Sequence, residues 1–289
     1  MAVLFLLPAL LGLALFFYYP IGQTMLFSLF DLERTTQLSA ERFVGVQNYA
    51  TVLQTTQFWQ SFGYTLYFTV VSVFLEFWIG MGMALATFWV VPQLRGLLRA
   101  IIIIPWAIPA IIQASIWRWL FHSDVGLIGD VLVRLGIVAE TPLFLSSPLL
   151  AMHSIILAYV WRGAAVTSIF LMGGLAMVPR HLHDAAMVDG APPLMHFWRI
   201  TLPLLLPTIL VTLMFRTIDA LRAFEIVYGL TGGGPGTTTE VLSSFAYRYY
   251  FSYLDYGQGA AYAVVSFVLV MGVSWLYIRR IVPHLQFRG

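Results

Sequence analysis

Four ionisable residues stand three apart in one apolar run: Arg216, Asp219, Arg222 and Glu225. Residues at that spacing share a broad helix face, so the run Pro203–Ile226 reads as a membrane helix bearing a ladder of alternating charge. Charged groups inside a bilayer are costly and face protein or water, not lipid. Two roles fit them. Sugars are held by charge-assisted hydrogen bonds to hydroxyls and by aromatic faces on the ring, and Phe224 and Tyr228 offer such faces. Equally, the charges suit salt bridges that fix the helix to its neighbours. At ~1.5 Å per residue, Arg216 lies about 20 Å in from Pro203 and Glu225 about 33 Å in, near the far edge. Glu76 sits inside a second apolar run and Arg162 inside a third, beside Trp161. Arg162 can pair with Glu76 or with Asp219, and spacing alone does not choose.

Other chemistry is excluded by composition. All fifteen basic residues are arginine and there is no lysine, so there is no phosphate-binding Walker lysine, Schiff base or lysine general base. If ATP is involved, another subunit hydrolyses it. Cysteine is absent, which removes disulfides, thiolate zinc sites and cysteine nucleophiles. His181 and His183 are two apart and point to different helix sides, and His122, His153, His196 and His284 are scattered, so no metal site is expected. Ser168, Ser243 and Ser244 lack a histidine–acid pattern, and no catalytic residue is assigned. Thr231–Thr237 is glycine-rich but has no lysine and no strand–helix context; it reads as a tight loop whose glycines take positive φ. A net charge of +2 gives no reason to expect nucleic acid.

The elements that must carry these residues follow from the bulk pattern. Of 289 residues, 60% are hydrophobic and 10% charged, against about 25% charged in soluble domains. About 20 apolar residues cross a bilayer core, and six runs qualify: Ala2–Phe30, Gly63–Val90, Ala100–Phe121, Leu149–Met172, Pro203–Ile226 and Gly259–Tyr277. They are continuous, not alternating, which predicts an all-α polytopic membrane protein of six helices. The first run lacks a basic start and a small-residue cleavage site, so it reads as a retained helix, not a signal peptide. One set of connectors holds seven arginines and the other four. The arginine-rich set, with both termini, is placed in the cytoplasm. Asn48 is expected to cap a short helix at Tyr49–Thr55, with Phe58 and Trp59 anchoring the second span at the interface. The whole of 1–289 reads as one membrane domain.

Between the fourth and fifth runs lies Val178–Leu202. Pro179 suits a helix start and Gly190 a left-handed helix end, and Pro192 or Pro193 starts another short helix. The pattern is two short helices meeting at a fixed corner. Ala185 and Ala186 permit close approach, while Leu194, Phe197 and Trp198 are apolar. Such an elbow suits a groove in a partner protein or the lipid interface.

This stretch resembles the glutamate–alanine–alanine loop of binding-protein-dependent ATP-binding-cassette (ABC) importer permeases. Asp184-Ala185-Ala186, Asp189-Gly190-Ala191, Phe197, Ile200, Leu202-Pro203 and Pro207 fall at the motif's positions, with Asp184 where glutamate is usual. Phe43-Val-Gly-Val-Gln-Asn48-Tyr49, Phe58-Trp59 and Leu230-Thr-Gly-Gly-Gly-Pro235 are similar to the family's carbohydrate branch, the trehalose and maltose permeases. The resemblance implies a type I importer permease fold in a prokaryotic inner membrane. It implies a heterodimer with a second permease, two cytoplasmic ATP-binding subunits and an extracytoplasmic sugar-binding protein or lipoprotein. The elbow would be the coupling segment, through Asp184, Ala185, Ala186, Asp189, Gly190, Ala191 and Phe197. Sugar contacts on the fourth and fifth spans would favour Trp161, Arg162 and Arg216. Import of glycerol phosphate or another polyol is the variant within this class, with Arg162, Arg216 and Arg222 meeting an anion. The competing class is an ion-coupled secondary transporter using Glu76, Asp219 and Glu225. A membrane-embedded enzyme lacks any cluster of catalytic groups.

Overall fold

The computed structural model describes residues 2–32 and 42–285. Glu33, Arg34, Glu41 and Arg288, counted in the charge asymmetry, lie outside the described residues. The order is α1 (Ala2–Leu13), a π-helical turn at Ala14–Tyr18, α2 (Tyr19–Phe27), the strands β1 (Phe30–Asp31) and β2 (Arg42–Phe43), α3 (Gln47–Gln54), α4 (Thr56–Trp89), α5 (Pro92–Ala107), α6 (Ala110–Leu120), α7 (Leu127–Arg134), α8 (Pro148–Met177), α9 (Arg180–Val188), α10 (Pro193–His196), a second π turn at Phe197–Thr201, α11 (Leu202–Leu221), α12 (Glu225–Thr231), α13 (Leu242–Tyr247), a third π turn at Arg248–Ser252, and α14 (Tyr256–Leu285). The strands form one antiparallel pair, Phe30 opposite Phe43. Among the described residues, five helices are long and apolar enough to span a membrane, and there are six if the bent pair α5–α6 crosses as one broken span.

Three elements differ from the sequence reading. The run Ala100–Phe121 is not one rod: α5 and α6 meet at 92°. Pro109 explains the corner, because proline pushes the residue before it out of the helical region, and Ile108 is extended at φ −82°, ψ 126°. The fifth span starts earlier, since α10 runs through its π turn directly into α11. It also ends earlier. Backbone N–H groups of Arg222 and Ala223 donate to the carbonyls of Asp219 and Ala220, three residues back, and this tightened turn closes α11 before Glu225 opens α12. The helix α3 begins at Gln47, so Asn48 is not its cap; Asn48 Nδ2 instead donates to the carbonyls of Ser28 and Phe30 at 3.0 and 2.8 Å.

The chain divides into two compact units, residues 1–65 with 240–270, and 66–239 with 271–289. The first is organised around Val52, Phe58, Leu242, Phe245, Ala261 and Tyr262. Phe58, expected from sequence as an interfacial anchor, is instead buried in this core, while Trp59 is exposed. The second is built on α8, which packs on the later part of α4 and on α11 through Met81, Ala84, Leu171, Leu175, Leu205 and Ile209. Small residues allow this approach. A Cβ on Gly80 would sit 2.7 Å from Thr167 Cγ2, and one on Gly174 would sit 2.8 Å from Thr208 Cγ2. Outward faces of the long helices carry Val70, Phe74, Ile79, Leu157 and Ile169, an apolar surface suited to lipid.

Candidate functional site

Three helices of the second unit meet at a buried charge cluster. Arg216 on α11 grips Glu76 on α4 with two bonds, Nε to Oε2 at 2.8 Å and Nη2 to Oε1 at 2.9 Å. Its third nitrogen, Nη1, donates to Asp219 Oδ2 at 3.0 Å. Tyr159 on α8 donates its hydroxyl to the same Asp219 oxygen at 3.0 Å, and the guanidinium lies 5.5 Å from the Tyr159 ring centre. Glu76 is fully buried and Arg216 nearly so. Room for the fork exists because α8 carries glycine there: a Cβ on Gly163 would overlap Glu76 Oε1 and come within 2.7 Å of Arg216 Nη2. Arg162 therefore pairs with neither acid that spacing offered it. Arg216 reaches both first, because it lies on the helix that faces α4 and one turn from Asp219.

Beside this cluster opens a cavity of about 340 Å³, lined by Gln113, Tyr159, Arg162, Asp219, Arg222, Phe224 and Glu225, with Ala110, Ala223 and Ile226 between them. Both helix breaks form its walls. The corner before Ala110 brings α6 and its Gln113 alongside α8, where Gln113 donates to the Ala158 carbonyl. The turn at Arg222–Phe224 ends the ladder as a single helix face and redirects Glu225. Arg162 keeps one nitrogen, Nε, buried with no hydrogen-bond partner among the described residues. Phe224 in the wall stacks on Tyr228 at 5.2 Å.

The eight pathway residues named from sequence thus separate. Arg162, Asp219, Arg222 and Glu225 line the cavity. Glu76 and Arg216 lie behind it as its brace, Tyr228 backs its aromatic wall, and Trp161 packs edge-on against Trp117 at 5.8 Å instead. Tyr159 and Gln113 were missed. Gln113 was visible as the one amide between Pro109 and Trp117; Tyr159 carries no signal distinguishing it from other membrane tyrosines.

The elbow forms a second surface. Gly190 is left-handed at φ +66°, as its place after α9 requires. Ala186 is buried against the molecule, whereas Asp184, Ala185, Met187 and Val188 face out, Val188 at 87% exposure. A groove of about 700 Å³ runs between α9, the start of α10 and the end of α4, lined by Leu85, Trp89, Ala186, Met187, Leu194 and Phe197. In the glycine-rich loop, Gly232, Gly233 and Gly236 take positive φ, as read from sequence. Among the described residues no three histidine or acidic side chains gather as a metal site.

Residues 77–284 match the family described as binding-protein-dependent transport system inner membrane component. The chain is 40% identical to the trehalose/maltose transport system permease protein MalF of Thermococcus litoralis, over 96% of this chain and 92% of that one. It is 39% identical to the sulfoquinovosyl glycerol transport system permease protein SmoG of Agrobacterium fabrum, over 96% and 89%. Among solved structures it is similar to a chain of a bacterial ABC transporter involved in import of the acidic polysaccharide alginate. There the TM-score is 0.80 at 26% identity, over 96% of this chain and 95% of the other.

Proposed function

This chain belongs to the binding-protein-dependent transport system inner membrane components, and on that premise we propose that it carries a di- or oligosaccharide of trehalose or maltose type past the cavity at Asp219. It is a multi-pass permease subunit of an ABC importer with the type I fold, and not an enzyme. Its partners are of the ABC kind. In our reading they are a second permease completing the pathway, two ATP-binding subunits that hold ATP and magnesium, and an extracytoplasmic sugar-binding protein. Both termini lie in the cytoplasm.

One observation carries this reading: a cavity within the spanning helices lined by an amide, a phenol, two carboxylates and two guanidiniums. Such groups replace the water that a polyhydroxylated solute leaves behind, and pockets of this size with a few convergent polar groups suit small solutes. In the lining Asp219 and Glu225 offset Arg162 and Arg222, and behind it Glu76 offsets Arg216, so the site is balanced in formal charge. That balance favours a neutral sugar over a phosphate. On the cytoplasmic face, the outward residues Asp184, Ala185, Asp189 and Gly190, with Ala191 and Phe197 seating the corner, supply the docking element. ATP-driven closure of the partner subunits would move the elbow and rock the spans, switching access to the cavity.

The test is uptake by proteoliposomes holding this chain with its partner subunits and internal ATP, offered labelled trehalose, maltose and glycerol 3-phosphate. ATP-dependent accumulation of a disaccharide is expected, with no ATP hydrolysis by this chain alone. Accumulation by this chain alone, driven by an ion gradient, would replace the reading with a secondary transporter.

A further inference from the structure

We propose that His183 and His196 are a positioning pair that sets the elbow for coupling, and that acidification on the cytoplasmic side releases it. The inference rests on the elbow being the docking element. His183 lies on α9 and His196 on α10, so a bond between them joins the two arms of the corner. Nδ1 of His183 is 2.8 Å from Nε2 of His196, and both residues are buried, at 5% and 7% exposure. The end of α4 closes over them: Phe88 lies 5.4 Å from the His183 ring, and Trp89 lies 6.0 and 6.2 Å from the two rings. The pair therefore fixes the corner and seats it on a membrane-spanning helix.

Burial decides where the proton sits. Nε2 of His183 is buried with no partner among the described residues. A proton there would be a stranded N–H donor, which costs more than an unused lone pair. So Nδ1 of His183 carries the hydrogen and donates to Nε2 of His196. An added proton then has two destinations. On Nε2 of His183 it creates a buried cation whose new N–H has no acceptor among the described residues. On Nε2 of His196 it removes the acceptor. Neither keeps the bond without burying a cation or a bare donor.

Among the described residues, the surrounding groups do not offset this. Burial holds the His183 imidazole below its ordinary 6.5, His196 pushes it the same way, and Asp184 opposes them. Among the described residues, α4 contributes its two aromatic rings, and Arg95 of α5 is committed to the carbonyls of Phe88 and Val90. A site that depresses a histidine disfavours the protonated form. The set elbow thus keeps its full stability above the ordinary histidine value and loses it as pH falls below that value.

The experiment measures ATP hydrolysed per sugar imported, in proteoliposomes holding the whole complex, with whichever of trehalose or maltose is taken up. The cytoplasmic side is varied from about pH 7.5 to about 5.5. For the native chain the ratio should rise on acidification. His183→Leu should raise it at neutral pH by about tenfold, the population change worth one such bond. The conservative double variant His183→Asn with His196→Gln keeps an uncharged donor and acceptor at matching positions, and should restore the neutral ratio while abolishing its pH dependence. Gly190→Pro runs in parallel as the test of the elbow itself. If Gly190→Pro raises the ratio and His183→Leu does not, the histidine pair is structural and this inference is wrong. If neither raises it, the elbow is not the coupling element. A double variant with native pH dependence would also overturn the inference.

Discussion

Glu76→Ala should destabilise the assembled complex by about 3–5 kcal/mol, the cost of stranding a buried charge. Arg216 loses both bonds of its fork, and the site is almost closed to solvent, so the guanidinium cannot be rehydrated in place. Asp219 is a single-bonded partner and is partly exposed, so it cannot compensate. The check is denaturant unfolding of the purified complex in detergent, together with the yield of inserted protein. A second variant separates a lost brace from a lost contact: Glu76→Leu with Arg216→Met removes both charges and fills the space. It should recover most of the lost stability, because exchanging a buried pair for apolar residues is often neutral. A single variant costing under about 1 kcal/mol, or a double variant as poor as the single, would show that the pair is not the brace between α4 and α11.

Gly163→Ala should also be harmful, though less so, by a steric route. The new methyl overlaps Glu76 Oε1, and Glu76 cannot swing away because Arg216 holds both of its oxygens. Relief requires moving α8 from α4 or opening the fork, at about 1–3 kcal/mol for overpacking of this kind. Gly173→Ala provides the control. It lies on the same helix with nothing within 4 Å of an added Cβ, and there alanine should be neutral or slightly stabilising through helix propensity. Uptake should fall with the first variant and persist with the second. Equal stability for the two would remove the argument that glycine is required where the fork crosses α8.

How much of this was legible depends on what kind of signal each feature leaves in a chain. The spans follow from apolar length, and the elbow follows from Pro179, Gly190 and Pro193, each of which acts through its own backbone. The corner between α5 and α6 was equally local, since Pro105 and Pro109 stand in the run, but continuous hydropathy masks a bend that keeps both arms apolar. The end of α11 leaves no such mark: Arg222, Ala223 and Phe224 include neither glycine nor proline, and the turn is set by packing on α6 and α8. Partner choice was the least legible. Arg162, Arg216, Glu76 and Asp219 are all credible partners by depth, and only helix rotation decides that Arg216 takes both acids while Arg162 faces the cavity. The histidine pair shows the same limit, because thirteen residues and a corner separate His183 from His196.

The central claim, that sugar occupies the cavity between α6, α8 and the break after α11, is tested most directly by substrate protection. The chain has no cysteine, so a single introduced thiol reports on one place. Ala110→Cys lies in the cavity wall, and Val188→Cys on the outward face of the elbow is the control. Both are labelled in the assembled complex with a small thiol reagent, and modification is read on the peptide of this chain by mass. At about ten times its dissociation constant, the transported sugar should slow labelling of Ala110→Cys by about tenfold and leave Val188→Cys unchanged. Equal labelling of Ala110→Cys with and without sugar, in a variant that still imports it, would place the pathway elsewhere.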